Sequence, residues 1–281
     1  MSEKKTKTGK KIKFSEHVPE VEVPEKRKPP SCDKCNMLAC WPVSPEDKPP
    51  SCDKCNMLAC WPVSPEDTLK GPDFCATKNY PDLVKEAKEI YQKEGLDRKL
   101  QLTGAALEGM SSMTPPGGRE INMKLTRLEE IAIFCRAMDY KKLGLAHCIG
   151  CIGEAREMSQ FFQARGLTTY QVCCKVGGVE KGEIGIEEDH KVRMLTHETI
   201  CNNIAQALIL NEVGTDLNLI VGLCVGHDIA FTMYSKAPAS TILVKDRRLG
   251  HNPVAALYQA YPPCNFYYGR LSKATSETGG R

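Results

Sequence analysis

From residue 141 to 261 the chain alternates short apolar runs with longer segments of helical periodicity. That alternation restricts the fold more than any other feature. KKLGLAHC reads as a strand, followed by the helix GEAREMSQFFQARG with Gly166 at its end. LTTYQVCC reads as the next strand and leads through a glycine-rich loop to the helix CNNIAQALILNEVG, closed by Gly214. DLNLIVGLCVG (strand), HDIAFTMYSK (helix) and STILVKD (strand) follow. NPVAALYQAY closes the pattern as a helix, with Asn252 as cap and Pro253 at its first position. Apolar strands between helices are what βαβ units require, because the helices cover both faces of a parallel sheet. The expected fold is α/β, a Rossmann-like or flavodoxin-like three-layer parallel sheet over residues 81–272, preceded by a small Cys-rich N-terminal metal-binding segment.

Upstream, PDLVKEAKEIYQKEG predicts an amphipathic helix with Pro81 in its first turn and Gly95 at its close. Residues 97–109 predict another, and SSMTPPGGRE a loop. Thr126 and Glu129 have the spacing of a capping box that opens the helix LEEIAIFCRAMDY. Residues 1–27 are rich in Lys, Glu and Pro without apolar periodicity, and are expected to form a disordered basic tail, as are residues 273–281 at the other end. Between them lies a perfect repeat: KPPSCDKCNMLACWPVSPED occupies residues 28–47 and recurs unchanged at 48–67. Only the second copy runs directly into TLKGPDFC, so residues 48–80 are expected to be the integrated segment and 28–47 a redundant copy.

Charge narrows the function classes. The chain carries 38 basic and 35 acidic residues, a net charge of +3, and much of the lysine excess lies in the first 28 residues. A near-neutral body argues against nucleic-acid binding, which needs a basic face on the fold itself. No run approaches the ~18 apolar residues that cross a bilayer. The N-terminus is charged where a signal peptide would be apolar. The expected location is cytoplasmic.

In a reducing compartment the fifteen cysteines cannot be read as a disulfide framework. Cys135 and Cys264, among apolar neighbours, are as well read as core residues as anything else. Cys52, Cys55, Cys60 and Cys75 have the spacing C-x2-C-x4-C-x14-C in surroundings of Pro, Asp and Asn. Four thiolates at such spacing suit one metal centre. Zinc and a [4Fe–4S] cluster both remain open, since the single short pair is unusual for zinc and the glycines of iron–sulfur modules of this spacing are absent. Cys32, Cys35 and Cys40 of the first copy offer three similar ligands with no fourth nearby.

A second group falls where the strands end. Cys148 and Cys151 follow the first strand; Cys173, Cys174 and Lys175 end the second; Cys201 opens the next helix. Cys224, His227 and Asp228 follow the third strand, and Lys245, Asp246, Arg247 and His251 follow the fourth. Ligands of open parallel sheets bind outside the carboxyl ends of the strands, and helix N-termini depress thiol pKa values. These residues are therefore the candidate active site. No G-x-G-x-x-G follows the first strand and no G-x-x-x-x-G-K-[ST] occurs, so Gly177, Gly178, Gly222 and Gly226 are better read as turn formers than as a phosphate cradle.

The segments AHCIGCIGEA, VCCKVGG, CNNIAQALILNE, GLCVGHD, APASTILVKDR and LGHNPVAALY, in this order, resemble a prokaryotic family of uncharacterised metal-binding proteins with four N-terminal cysteines. The resemblance implies a cysteine-bound metal at Cys52, Cys55, Cys60 and Cys75 and no settled activity. The repeat and the extra thiol of Cys151 depart from the family pattern. Three functions follow as expectations: redox or electron transfer with a redox partner protein, capture of a soft metal or small molecule by the inner thiols, and an enzyme with a Cys nucleophile and His227 as base.

Overall fold

The computed structural model describes residues 50–55, 60, 71–112 and 124–260. The first copy of the repeat with Cys32, Cys35 and Cys40, the two expected tails and Cys264 lie outside the described residues. The chain divides into two compact units, one within residues 12–102 and one from residue 103 onward.

In the N-terminal unit, Cys52–Lys54 form a single 3-10 turn, closed by the Cys55 N–H on the Cys52 carbonyl at 3.1 Å. The Ser51 N–H reaches the Phe74 carbonyl at 3.4 Å, which lays this turn beside buried Cys75. Cys75 caps the short helix α1 (Ala76–Asn79), and α2 (Pro81–Gln92) begins at Pro81 as expected. It stops earlier than expected. Lys93 is already extended, with its N–H shared between the Glu89 and Ile90 carbonyls. Gly95 instead serves the next helix, α3 (Leu96–Ser111), accepting the Lys99 N–H at 3.1 Å.

The larger unit is built on a parallel four-stranded sheet in the order β2-β1-β3-β4. The strands are β1 (Lys142–His147), β2 (Thr168–Cys173), β3 (Leu217–Val221) and β4 (Ala239–Leu243). The helices are α4 (Arg127–Met138), α5 (Ile152–Gln163), α6 (Asn203–Val213), α7 (His227–Tyr234) and α8 (Val254–Ala260), distributed on either side of the sheet. The α/β reading of the sequence holds, and the strand order is that of flavodoxin-like sheets. α4 opens with the expected capping box: the Thr126 side chain accepts the Glu129 N–H, and the Glu129 carboxylate accepts the Thr126 N–H.

Burial follows strand position. All of β3 is buried, whereas the edge strands β2 and β4 are half-covered. Leu143, Leu145, Leu219 and Val221 join Phe162 of α5, Leu210 of α6 and Phe231 of α7 in one core, with Cys135 fully enclosed. Burial pushes the Cys135 thiol up to about 11, as befits a core filler rather than a reactive group. Gly144 lets α6 approach: a Cβ there would stand 2.1 Å from Asn218 Oδ1 and 2.9 Å from Leu210. Among the described residues no helix is long and apolar enough to cross a membrane.

Candidate functional site

In this strand order the chain leaves β1 toward β2 on one side and returns to β3 on the other, so the crevice opens between the carboxyl ends of β1 and β3. The loops there are tied to the sheet by main-chain hydrogen bonds. The Cys148 N–H donates to the Val221 carbonyl at 3.0 Å and the Cys174 N–H to the His147 carbonyl at 2.8 Å. The Asn202 N–H donates to the Cys174 carbonyl at 2.7 Å, and the Gly222 N–H to the Leu243 carbonyl at 2.7 Å. Each bond prolongs the sheet by one step and carries a cysteine-bearing loop to the same edge.

Three sulfurs form a row there. The Cys174 thiol, 1% exposed, interacts on one side with Cys148 and on the other with Cys201. A thiol has one proton, so Cys174 donates to one neighbour at a time while its sulfur also accepts the Ile149 N–H at 3.3 Å. The Cys174 contact, the Gly150 N–H and Lys245 outweigh burial and hold the Cys148 thiol down at about 5. Cys174, His227 and Lys175 bring Cys201 down to about 4, again against burial. Cys174 itself is driven far upward by its two thiolate neighbours and by burial. At neutral pH the row therefore carries two thiolates about one protonated thiol. Cys201 precedes the α6 cap, Asn202, whose side chain accepts the Ala205 N–H, so the helix begins two residues later than the sequence suggested.

The edge holds a fourth sulfur. Cys151 is fully buried, with Lys245 Nζ at 3.3 Å and His251 Nε2 at 3.8 Å from its Sγ. Burial raises its pKa despite the lysine. The Asp246 N–H donates to His251 Nδ1 at 3.2 Å, which leaves Nε2 of the neutral ring as the protonated nitrogen facing sulfur. Lys245 Nζ also reaches Cys148, and its pKa rises although burial opposes the charge. Gly222 makes the space: at φ +68° it is already in a glycine conformation, and a Cβ would stand 2.5 Å from Cys151 Sγ.

Several residues expected at the site also hold the main chain or pack at its rim. The Asp228 carboxylate accepts its neighbour's N–H, from Ile229, at 2.8 Å, and so serves the start of α7. Asp246 Oδ1 accepts the Arg248 and Leu249 N–H groups at 3.0 and 2.9 Å and shapes the turn after β4. Lys175 donates to the Thr199 carbonyl at 2.6 Å, bracing the loop that carries Cys201. Arg247 lies 3.2 Å from Cys224 Sγ, a cysteine–guanidinium pair at the rim, and Cys173 packs against the core.

Sequence reading missed the supports. Gln206, fully buried, donates from Nε2 to the Val172 carbonyl at 2.6 Å and the His147 carbonyl at 3.2 Å, while Asn203 Nδ2 donates to its Oε1 at 2.8 Å. It clamps the strand ends that precede Cys148 and Cys174. The glycine-rich loop was also unread: Glu180 pairs with Thr199 as an antiparallel bridge, and Lys181–Glu198 at 2.7 Å and Lys191–Glu180 at 2.6 Å brace it. Among the described residues, the metal-ligand atoms that gather within 4.8 Å of one another are those of Glu187, Asp189 and His190 on this loop, rather than any cysteine trio. The sulfurs of Cys148, Cys174 and Cys201 are joined by two contacts, both made through Cys174.

The family model for a protein of unknown function, DUF1847, matches residues 75–243. The chain belongs to that family. The DUF1847 match takes in Cys75, the Cys148–Cys174–Cys201 row, Cys151, Cys224 and His227; Lys245, Arg247 and His251 lie just beyond it. Uncharacterized protein MJ0455 of Methanocaldococcus jannaschii is similar to this chain, 51% identical over 139 residues that make up 50% of this chain and 70% of the relative.

Proposed function

We propose that this protein carries out thiol–disulfide chemistry at the carboxyl edge of its sheet, with a small disulfide as oxidant and a dithiol as the reductant that restores it. The observation that carries this reading is the row itself: main-chain hydrogen bonds bring Cys148, Cys174 and Cys201 to one sheet edge, with the Cys174 sulfur in contact with both of the others. Sulfur exchange needs an attacking thiolate, a second thiol in contact with it, and a place for the second thiol's proton. Cys201 is the most accessible of the three and has His227 hydrogen-bonded to it, so it is the attacking group. Its thiolate forms a mixed disulfide with RSSR, and RS⁻ leaves and takes a proton from solvent. Cys174 passes its proton to the Cys148 thiolate and attacks the Cys201 sulfur, and the second thiol leaves with that proton. Two electrons have gone from the protein to two RSH, with one proton from Cys174 and one from solvent.

The two contacts made through Cys174 support sulfur exchange at this edge, since they set each attacking thiol against a neighbouring sulfur. Cys52, Cys55, Cys60 and Cys75 are a separate matter, and we assign them a structural metal. The turn that pairs Cys52 with Cys55 and the Ser51–Phe74 bond that brings it to Cys75 support that assignment. The metal would be held through these thiolates and supply folding stability to the N-terminal unit.

The test is reduction of bis(2-hydroxyethyl) disulfide, followed with dithiothreitol as the regenerating dithiol. Cys174→Ser should slow turnover and, exposed to the disulfide with the dithiol left out, should trap a mixed disulfide on Cys201, visible by mass. Turnover that survives both Cys174→Ser and Cys201→Ser would exclude the proposal.

A further inference from the structure

We propose that Cys148 and Cys151 form an inner dithiol which draws the disulfide away from Cys174 and Cys201, so that the site takes up the oxidation of two substrate disulfides rather than one. This rests on the thiol–disulfide reading above and adds a second pair to it. The ground is the environment of Cys151. Cys135 and Cys151 both belong to the buried core. Cys151 is just as buried, yet an ammonium nitrogen stands 3.3 Å and an imidazole nitrogen 3.8 Å from its sulfur. Both groups donate to sulfur and so favour its thiolate as a leaving or attacking group.

The backbone closes the two cysteines into one turn. The Cys151 N–H donates to the Cys148 carbonyl at 2.9 Å, closing the Cys148-Ile-Gly-Cys151 turn. Such a turn holds its end Cα atoms within ~7 Å, which overlaps the range a disulfide spans. Lys245 reaches both sulfurs, and a Cβ at Gly150 would lie 3.3 Å from its Nζ. Gly222 leaves room for the Cys151 sulfur, which a Cβ there would meet at 2.5 Å.

The transfer needs no external reagent. The Cys148 thiolate attacks the Cys174 sulfur of the Cys174–Cys201 disulfide, forming Cys148–Cys174 and releasing the Cys201 thiolate. The Cys151 thiol then attacks the Cys148 sulfur, and its proton goes to the departing Cys174. One disulfide, one thiol and one thiolate stand on each side of the exchange. Cys174 and Cys201 are again a thiol and a thiolate and can meet a second substrate disulfide, the departing RS⁻ then taking the Cys174 proton directly, while the nearly buried Cys148 never has to meet one.

The experiment exposes the reduced full-length protein first to limiting and then to excess bis(2-hydroxyethyl) disulfide, with acid quenching, alkylation and peptide mapping. The expected result is Cys148–Cys151 at limiting oxidant, both Cys148–Cys151 and Cys174–Cys201 at excess, and half the uptake by the site in Cys151→Ser. A wild-type protein that forms Cys174–Cys201 while Cys151 stays a free thiol throughout overturns the inner dithiol and leaves the outer pair standing. If none of the four cysteines is oxidised, the thiol–disulfide reading falls with it.

Discussion

Cys148, Cys151, Cys174 and Cys201 are the same side chain in four electrostatic settings. A thiolate neighbour, a lysine or an imidazole decides whether the group is a nucleophile or a reserve proton. Cys201 owes its low pKa of about 4 first to Cys174 and then to His227, so His227→Ala should raise it without abolishing the thiolate. Iodoacetamide reacts with thiolate alone. Labelling of Cys201 should therefore hold nearly constant between pH 8 and pH 6, where a free thiol loses about tenfold per pH unit below its pKa of ~8.5. In His227→Ala the fall should begin at a higher pH. Peptide-resolved labelling rates would show it, and a tenfold loss per unit at Cys201 in the unaltered protein would contradict the assignment. The sequence placed this cysteine at a strand-end crevice; it could not show that Cys174 would be its chief partner, because the contact joins loops 27 residues apart.

At the scale of elements, the strand and helix pattern was legible because apolar spacing and end signals report local geometry. The capping box at Thr126 and the left-handed Gly214 after α6 stand where the residues put them. The loop from Lys175 to Cys201 was not legible, since its ion pairs and its single bridge leave no periodic trace. The Cys52–Lys54 turn belongs to this scale too. If Cys52, Cys55, Cys60 and Cys75 hold a metal, protein purified without oxygen should contain it at a fixed ratio. Joint substitution of Cys52 and Cys55 by Ser, with Cys32 and Cys35 changed alike, should release it. Elemental analysis with a visible spectrum would separate iron–sulfur, brown with several irons, from a colourless zinc site. Metal unchanged in that variant would refute the assignment.

For the whole molecule, the thiol row links folding to pH. Between about pH 5 and pH 8 the native row holds one proton, whereas the unfolded chain holds three on the same cysteines. The unfolded state binds more protons, so stability rises with pH through this window. The depressed Cys148 and Cys201 thus contribute fully above the unfolded thiol pKa of ~8.5, and the contribution is lost as pH falls toward 5 and then 4. Cys174 has the opposite sign: it keeps its proton while the unfolded chain gives its own up, so its contribution fades above pH ~9. Thermal midpoints of the reduced protein should climb from pH 5 to pH 8 and turn down above 9. Joint Cys148→Ser and Cys201→Ser substitution should flatten the rise; an equal slope in that variant would place the linkage elsewhere.

The sequence by itself determined the α/β architecture, the strand ends and the presence of cysteines at each of them, because period, caps and glycines act over a few residues. Tertiary structure alone decided which of those cysteines share protons. Asp228 and Asp246 had the chemistry of acid–base groups but were taken up by nearby main-chain N–H groups. Gln206 looked like an ordinary helix residue until the strand ends closed on it. Hydrogen bonding and desolvation depend on distances between segments remote in the chain, and those are set only when the sheet is assembled.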